Sequence, residues 1–162
     1  MHHSINSLGT IKLNPIGIIH TPFKSKEEAP IQPEFSKRAK GTVEIYQEYV
    51  EGLSDLEGFS HIYLIFYFHL SEGYDLKVVP FMDDVKRGLF ATRAPRRPNQ
   101  IGLSVVKLIS IKENIIEIGD ADMLDGTPLL DIKPYVPAFT DPEVFTIGWL
   151  EGKISGKTGS RP

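Results

Sequence analysis

Cysteine is absent from this sequence of 162 residues. Its absence excludes disulfides, thiolate zinc sites and cysteine nucleophiles together. Long apolar segments are also missing, because the longest run covers only the seven residues from Ile62 to Phe68, so no membrane-spanning helix is expected. The N-terminus shows no basic stretch followed by an apolar segment, so we expect no secretory signal. We therefore predict a reducing, cytoplasmic environment.

The sequence also lacks a large excess of charge of either sign. Its 18 basic and 21 acidic residues leave a net charge of −3, which argues against a general nucleic-acid coat. Three catalytic signatures are missing as well: the glycine-rich dinucleotide motif, the P-loop and the serine hydrolase elbow. His20, His61 and His69 are too far apart in the sequence to predict a zinc site, so we expect no metal.

The apolar content is sufficient for one folded domain. Hydrophobic residues make up 41% and charged residues 24% of the chain, which excludes a largely disordered protein. The length fits one domain and is too short for two ample ones. Residues 1–12 and 152–162 are polar or rich in Gly, Ser and Lys, and we expect them to be flexible ends. The domain is therefore predicted to occupy residues 13–151.

Short alternating segments predict a mainly β structure. Strands are expected at 15–20, 41–46, 61–70, 101–111, 115–119 and 128–132, with a short helix at 47–56. The patterns that would mark long crossover helices are missing, and the 12 prolines fit long loops. The sequence thus favours a single-domain β-barrel or a sandwich-like β domain, with short helices and proline-rich loops, over a doubly wound α/β fold.

The predicted strand at 61–70 has two unequal faces. Alternate residues from Ile62 to Leu70 are all apolar and are expected to be core. The other face carries His61, Tyr63, Ile65, Tyr67 and His69, whose polar tips require partners. This face is either half exposed or a subunit contact, or its end at His69 lines a ligand site.

Residues 86–99 form a basic segment without a single acidic residue. The segment contains Lys86, Arg87, Arg93, Arg96 and Arg97, and its prolines exclude a helix interior. Because arginine binds phosphate through two parallel hydrogen bonds, one interpretation is a phosphate-bearing partner. The alternative is a solvated loop whose arginines pair with surface carboxylates.

Three carboxylates, Asp122, Asp125 and Asp131, lie within ten residues of each other beside the turn signal at 126–128. Carboxylates next to a tight turn suit ribose hydroxyls, an ammonium or a sulfonium group. A metal is disfavoured because no histidine is nearby. The structural alternative is that Asp125 makes a hairpin turn and Asp131 pairs with Lys133 or an arginine.

Five blocks of sequence then occur in one order. They are Gln32-Pro33, Gly58–His61 (GFSH), Gly88–Arg93 (GLFATR), Arg97–Gly102 (RPNQIG) and Asp122–Tyr135 (DMLDGTPLLDIKPY). Together they resemble the TsaA-like, TrmO/YaeB-type family of S-adenosylmethionine-dependent tRNA methyltransferases, over about residues 15–137. The sequence differs from the family pattern at Ile31, where arginine is common, and at Gln100, where proline is common.

The resemblance implies a β-barrel unlike the Rossmann-type methyltransferases, a homodimer, S-adenosylmethionine as cofactor and the tRNA anticodon loop as partner. It implies methylation of the exocyclic N6 of adenosine 37, already carrying a threonylcarbamoyl group. Carried over residue by residue, the implied cofactor site comprises Gln32, Pro33, Glu34, His69, Leu70, Arg93, Leu103, Asp122, Met123, Leu124 and Asp125.

On this hypothesis methyl transfer is a direct displacement that needs no covalent nucleophile. The candidates for a base that takes the released proton are Asp131, His69 and Tyr135. RNA contacts are expected from Lys86, Arg87, Arg96, Arg97, Asn99 and Lys133. Two alternatives stay open: a non-enzymatic RNA-binding β-barrel, and a methyltransferase that acts on a small molecule or a different RNA.

Overall fold

A computed structural model describes residues 9–28, 39–139 and 146–153. Its eight strands are β1 Gly17–His20, β2 Lys40–Ile45, β3 His61–Tyr67, β4 Lys77–Val78, β5 Arg87–Gly88, β6 Ile101–Lys112, β7 Ile115–Gly119 and β8 Thr127–Pro134. The helices are short 3₁₀ segments at Gln47–Leu53, Leu56–Gly58, Leu89–Ala91, Pro137–Phe139 and Gly148–Leu150. Within the described ranges, no helix has the length and apolar character needed to cross a membrane.

Six of the strands close into a barrel, in the order β1-β2-β7-β6-β3-β8. Every pairing in this barrel is antiparallel, and β4 and β5 form a separate two-stranded ribbon. The prediction of a mainly β protein with a barrel is therefore confirmed, and the sandwich-like alternative is wrong. Closure leaves no edge strand in the barrel that another chain could extend.

The barrel interior follows from alternation along the strands. On β3, Ile62, Leu64 and Phe66 point inward and are 0%, 0% and 5% exposed. Ile62 and Leu64 lie opposite Val106 and Ser104 of β6, which point the same way. Each large apolar side chain buried in this manner contributes about 1.5–3 kcal/mol to folding. The core is completed by residues from every barrel strand, including Ile19, Val43, Ile45, Ile116, Ile118 and Leu129.

Gly102 marks the place where β6 passes closest to an aromatic ring of β3. A Cβ at this position would lie 2.3 Å from a ring carbon of Phe66. Because Phe66 is buried and packs edge-on against Phe68, with ring centroids 5.3 Å apart, its ring has little room to move. A side chain at residue 102 would therefore displace the start of β6, so glycine is required there.

Strand β3 ends earlier than the sequence predicts. The backbone N–H of His69 donates to the carbonyl oxygen of Tyr67, and that of Ser71 donates to the oxygen of Phe68, so the chain turns after Tyr67. Consequently the prediction that Leu70 belongs to the core is wrong, because this residue is 46% exposed. The predicted helix at 47–56 is two 3₁₀ segments, and the ribbon β4–β5 was not predicted.

Candidate functional site

A cleft of about 630 Å³ opens at the end of the barrel where β3 ends and β6 and β8 begin. This volume is in the range of sites that hold small molecules. Its apolar lining is Phe66, Phe68, Leu70, Pro95, Ile101, Leu103, Met123 and Leu124, around Gly102. Its polar lining is Lys26, His69, Ser71, Thr92, Arg93, Arg97, Ser104, Asp122 and Thr127.

Asp122 contributes a carboxylate to this cleft. Its Oδ1 accepts a hydrogen bond of 2.8 Å from the hydroxyl of Ser104, a buried residue of β6. Burial of the carboxyl raises the pKa of Asp122, while the Ser104 hydrogen bond and the positive charge of Arg93 lower it. The residue as a whole is exposed to solvent, so its carboxyl is desolvated only on the side that faces the cleft walls. A partly desolvated carboxylate among apolar walls favours a cationic ligand group.

His69 lies in the same cleft, with Nδ1 3.5 Å from the hydroxyl oxygen of Thr127. That hydroxyl donates its hydrogen to the carbonyl oxygen of Leu124 at 2.7 Å, so toward His69 it acts as an acceptor. We therefore assign the ring hydrogen to Nδ1 and the free lone pair to Nε2. Burial lowers the pKa of His69 and the charge of Asp125 partly offsets this, so the ring is neutral at neutral pH.

Residues 83–97, which we call the arm, contain most of the basic segment and form one wall of the cleft. Arg93 donates from Nη2 to the carbonyl oxygen of Leu103, which joins the arm to β6. Arg97 donates from Nη1 to the carbonyl oxygens of Thr92 and Ala94, at 3.0 and 3.2 Å. Both guanidinium groups thus fix the backbone of the wall through hydrogen bonds, and both place a positive charge at the cleft.

Two further arginines of this segment are paired with carboxylates. Arg87 Nε lies 2.7 Å from Oδ2 of Asp83, whose side chain is 1% exposed. Arg96 Nη1 lies 3.0 Å from Oδ2 of Asp75, and both of these side chains are more than half exposed. The structural alternative stated for the basic segment, pairing with surface carboxylates, therefore describes Arg96, whereas Arg87 pairs with a carboxylate that is almost fully buried. The exposed Arg96 pair contributes little to stability and is easily exchanged for another anion.

Among the three candidate bases, His69 lies in the cleft and the other two lie on the outer face of the barrel. Asp131 pairs with Lys133, with Oδ2 and Nζ 2.9 Å apart, as the structural alternative stated. Tyr135 packs edge-on against Tyr63, with ring centroids 5.3 Å apart. Lys133 is therefore engaged away from the cleft. The remaining residues predicted to contact RNA, Lys86 and Asn99, are exposed.

Most residues of the implied cofactor site meet at the cleft: His69, Leu70, Arg93, Leu103, Asp122, Met123 and Leu124. Gln32, Pro33 and Glu34 lie outside the described residues. Asp125 lies in a shallow depression beside the cleft. Its Oδ1 accepts from the backbone N–H of Thr21 at 3.0 Å, and its Oδ2 pairs with Lys24 Nζ at 2.6 Å. These contacts, the Lys24 hydrogen bond above all, lower the pKa of Asp125.

Several cleft residues were missed by the sequence analysis. Phe66 and Phe68 belong to the apolar face that predicts core positions, and they reach the cleft because it opens at the end of β3. Ser104 and Thr127 are single hydroxyl residues on strands, without a local signal. Gln100 accepts from the hydroxyl of Tyr67 and donates to the carbonyl oxygen of Ser71, both at 2.7 Å, and so fixes the turn after β3.

A closed antiparallel barrel with a carboxylate, a neutral histidine and apolar walls at one end defines a small-ligand-binding β-barrel, without the parallel crossovers of dinucleotide-binding folds. The described part of the chain contains no cluster of three or more His, Asp or Glu residues that could hold a metal ion. The chain belongs to the tRNA-methyltransferase O N-terminal domain family, whose model matches residues 18–141.

Individual relatives agree with this membership. A "Probable S-adenosyl-L-methionine-binding protein" of Pyrococcus abyssi is 56% identical over 140 residues, which cover 86% of this chain and 76% of the relative. The mouse "tRNA (adenine(37)-N6)-methyltransferase" is 34% identical over 146 residues, covering 86% of this chain and 34% of the mouse protein. The crystal structure of TrmO from Pseudomonas aeruginosa superimposes with a TM-score of 0.73 at 40% identity. That match covers 88% of this chain, which spans 63% of the solved chain.

Proposed function

We propose that this protein is an S-adenosylmethionine-dependent methyltransferase that methylates the exocyclic N6 of adenosine 37 in tRNA, on a base that already carries a threonylcarbamoyl group. The observation that carries the proposal is the carboxylate of Asp122, held by Ser104 in an apolar cleft. The names of the relatives from Pyrococcus abyssi and mouse support the donor and the acceptor respectively. With tRNA as substrate, we place the reaction in the cytoplasm.

The cleft residues fit the methyl donor. S-adenosylmethionine supplies a methyl group on a cationic sulfur, for which the acceptor nitrogen provides the electron pair. Asp122 supplies charge complementary to a sulfonium or ammonium group, and Ser104 fixes the orientation of its carboxyl. Phe66, Phe68 and Met123, which are buried or half-buried, exclude water from the walls, which strengthens that electrostatic contact. Holding both reactants in place in such a site supplies roughly 7–11 kcal/mol of the barrier reduction.

His69 is the residue that we propose to accept the proton released from the acceptor nitrogen. The assignment of its ring hydrogen to Nδ1 leaves a lone pair on Nε2. Because burial lowers its pKa, the ring is unprotonated and ready to act as a base at neutral pH. Asp131 and Tyr135 contact Lys133 and Tyr63 on the outer face of the barrel, so we do not propose either of them as the base.

The arm is the surface that we propose for the anticodon loop. It brings Arg93 and Arg97 to the cleft, and Arg96 and Lys86 are exposed beside it. Phe90 is 77% exposed and has the guanidinium of Arg97 5.8 Å from its ring centre. An exposed aromatic ring next to arginines suits the stacking of unpaired bases, as occurs in RNA loops.

We also propose that the protein is a homodimer that pairs through the outer face of β6. Ile101, Leu103, Val105 and Ile109 are each 40–48% exposed on this face, which reaches the cleft at Ile101 and Leu103. A Val105→Asp substitution is expected to halve the mass measured by light scattering, while Tyr49→Asp, at an exposed site on a 3₁₀ helix, leaves the mass unchanged. A monomeric wild-type protein at high concentration contradicts the proposal.

The acceptor is tested by methyl transfer from labelled donor to two preparations of tRNA, with and without the threonylcarbamoyl group. We expect label only in the modified tRNA, at N6 of adenosine 37 by nucleoside mass spectrometry. A His69→Gln variant is expected to bind the donor and to transfer methyl groups about 100-fold more slowly, since general base catalysis typically contributes that factor or more.

Each other outcome excludes part of the proposal. Equal labelling of both tRNA preparations rejects the threonylcarbamoyl requirement and keeps the tRNA methyltransferase. No labelling of either, with donor binding intact, indicates a different acceptor. Salt-sensitive RNA binding without any binding of the donor favours the non-enzymatic RNA-binding barrel.

A further inference from the structure

Residues 146–153, which we name the clasp, contact the arm through side chains outside the family match at 18–141. The indole N–H of Trp149, the single tryptophan of the sequence, donates to the carbonyl oxygen of Ala91 at 2.7 Å. Ala91 ends the 3₁₀ segment that begins at Leu89, and Thr92 and Arg93 follow it in the cleft wall. The clasp thus contacts the arm immediately before the arm enters the cleft.

The second point of contact is the carboxylate of Asp83, whose side chain is 1% exposed. Lys153 forms an ion pair with its Oδ1, and Arg87 Nε lies 2.7 Å from its Oδ2. Lys153 above all, then Arg87, holds the pKa of Asp83 well below its usual range, against the opposing effect of burial. One carboxylate with little exposure is therefore shared by a cation of the arm and a cation of the clasp.

Both of these cations also lie over the aromatic ring of Trp149. The guanidinium of Arg87 lies 5.5 Å and the ammonium of Lys153 5.6 Å from the ring centre. Both distances fall within the range of cation–π attraction. The indole therefore makes one hydrogen bond to the arm backbone and organises the two charges around Asp83.

The contacts of the arm with the rest of the protein leave Ala91 between two fixed points. Leu89 is 1% exposed and donates its backbone N–H to the carbonyl oxygen of Leu76 at 2.9 Å. Arg93 is joined to Leu103 of β6. Trp149 supplies a side-chain contact at Ala91, between these two anchors. Trp149 is therefore a third anchor of the arm, immediately before Thr92 and Arg93 of the cleft wall.

We propose that Trp149 and Lys153 are positioning residues, which hold the arm so that Thr92 and Arg93 form the cleft wall that binds the methyl donor. The part of the proposal that concerns the donor rests on the proposed function. The part that concerns the arm rests on the contacts of Trp149, Lys153 and Asp83 alone.

The test compares Trp149→Ala, Trp149→Phe and Lys153→Met with the rescue variant Lys153→Arg. For Trp149→Ala we expect the Kd for S-adenosylmethionine, measured by calorimetry, to rise about tenfold, the size of effect of a lost positioning hydrogen bond and its associated charge contacts. Trp149→Phe keeps an aromatic ring for the two cations but loses the hydrogen bond and part of the ring surface, so it is expected to fall between wild type and Trp149→Ala. Lys153→Arg keeps the ion pair and is expected to bind like wild type.

A second readout does not depend on any ligand. The backbone N–H of Thr92 donates to Leu89 at 3.0 Å, and its amide hydrogen exchange is expected to accelerate in Trp149→Ala while barrel amides such as that of Ile62 stay protected. Tyr49→Ala, which removes an exposed ring from the 3₁₀ helix at 47–53, is the matched control and is expected to change neither readout.

The outcomes separate the two proposals. Unchanged Thr92 exchange in Trp149→Ala overturns the clasp, whatever the donor does. Accelerated exchange with an unchanged Kd overturns its role in the cleft wall. Wild-type protein that binds no S-adenosylmethionine rejects the proposed function, and the exchange experiment then still decides whether the clasp holds the arm. If Trp149→Ala unfolds globally, Trp149→Phe and Lys153→Met give the same decision.

Discussion

An Asp122→Asn variant is expected to bind S-adenosylmethionine about 10- to 100-fold more weakly than wild type, because a hydrogen bond or ion contact to a charged group contributes about 1.5–3 kcal/mol. Asparagine keeps the shape of the side chain and an acceptor for the Ser104 hydroxyl, so the substitution removes charge and little else. Calorimetric titration with S-adenosylmethionine measures the loss. Asp55→Asn is the matched control, because Asp55 is exposed and has a positive φ of 66°, which asparagine also adopts readily.

The stability of this variant distinguishes a lost binding site from a damaged fold. Burial raises the pKa of Asp122 in the folded protein, so its charged form is less favourable there than in the unfolded chain. A carboxyl of this kind favours folding at low pH, and that contribution is lost as the pH rises through the folded-state pKa. At pH 7, Asp122→Asn is therefore expected to have a Tm equal to or above that of wild type. A lower Tm, or an unchanged Kd, contradicts the assignment.

Asp125 is a residue for which the structure and the family resemblance lead to different expectations about donor binding. The two carboxylates are three residues apart, and the family resemblance implies that both belong to the cofactor site. In the structure the carboxylate of Asp125 is bound by the backbone N–H of Thr21 and by Lys24, beside the cleft. The carboxylate of Asp122 accepts a hydrogen bond from Ser104 within the cleft. We therefore expect Asp125→Asn to weaken donor binding less than Asp122→Asn, in the same titration.

Alternation explains why the barrel could be predicted so largely from the sequence. Ile62, Leu64 and Phe66 are inward because a strand presents every second residue to one face, and that periodicity is visible in the sequence. The end of β3 was not visible, because it depends on backbone hydrogen bonds near Tyr67 and on Gln100. Strands β4 and β5 have two residues each, too few to show a period.

The kinds of residue in the candidate site could be predicted from the sequence, whereas the particular residues that face the cleft could be predicted less well. Charge is a local property of the sequence, so the basic and acidic segments could be singled out, and the structure brings residues of both to one cleft. Which of those charges face the cleft depends on partners far away in the chain. Arg87 is directed to Asp83 and Trp149, and Asp131 to Lys133, while Arg93 and Asp122 meet at the cleft. No spacing rule distinguishes these cases.

Binding of S-adenosylmethionine is expected to weaken as the pH falls below about 6.5, the ordinary pKa of histidine. The pKa of His69 is lowered by burial, so its imidazolium forms below that value and adds a positive charge to the cleft. The pKa of Asp122 is raised, so as the pH falls its carboxylate becomes protonated at a higher pH than the ordinary 3.8 of an aspartate. Both changes make the cleft less favourable for a cation, and they have the same sign. The measurement is the Kd for the donor at pH values from 7.5 to 4.5, with the range kept above acid unfolding by monitoring Tm at each pH.

The reaction product, which lacks the sulfonium charge, identifies the cause of this dependence. S-adenosylhomocysteine has the same adenosine and amino acid parts but a neutral thioether, so its Kd should change less over the same pH range. His69→Gln removes the imidazolium and is expected to leave only the lower limb of the profile, which belongs to Asp122. An equal pH dependence for donor and product rejects the sulfonium as the group that these two residues recognise, and leaves the ammonium group that donor and product share.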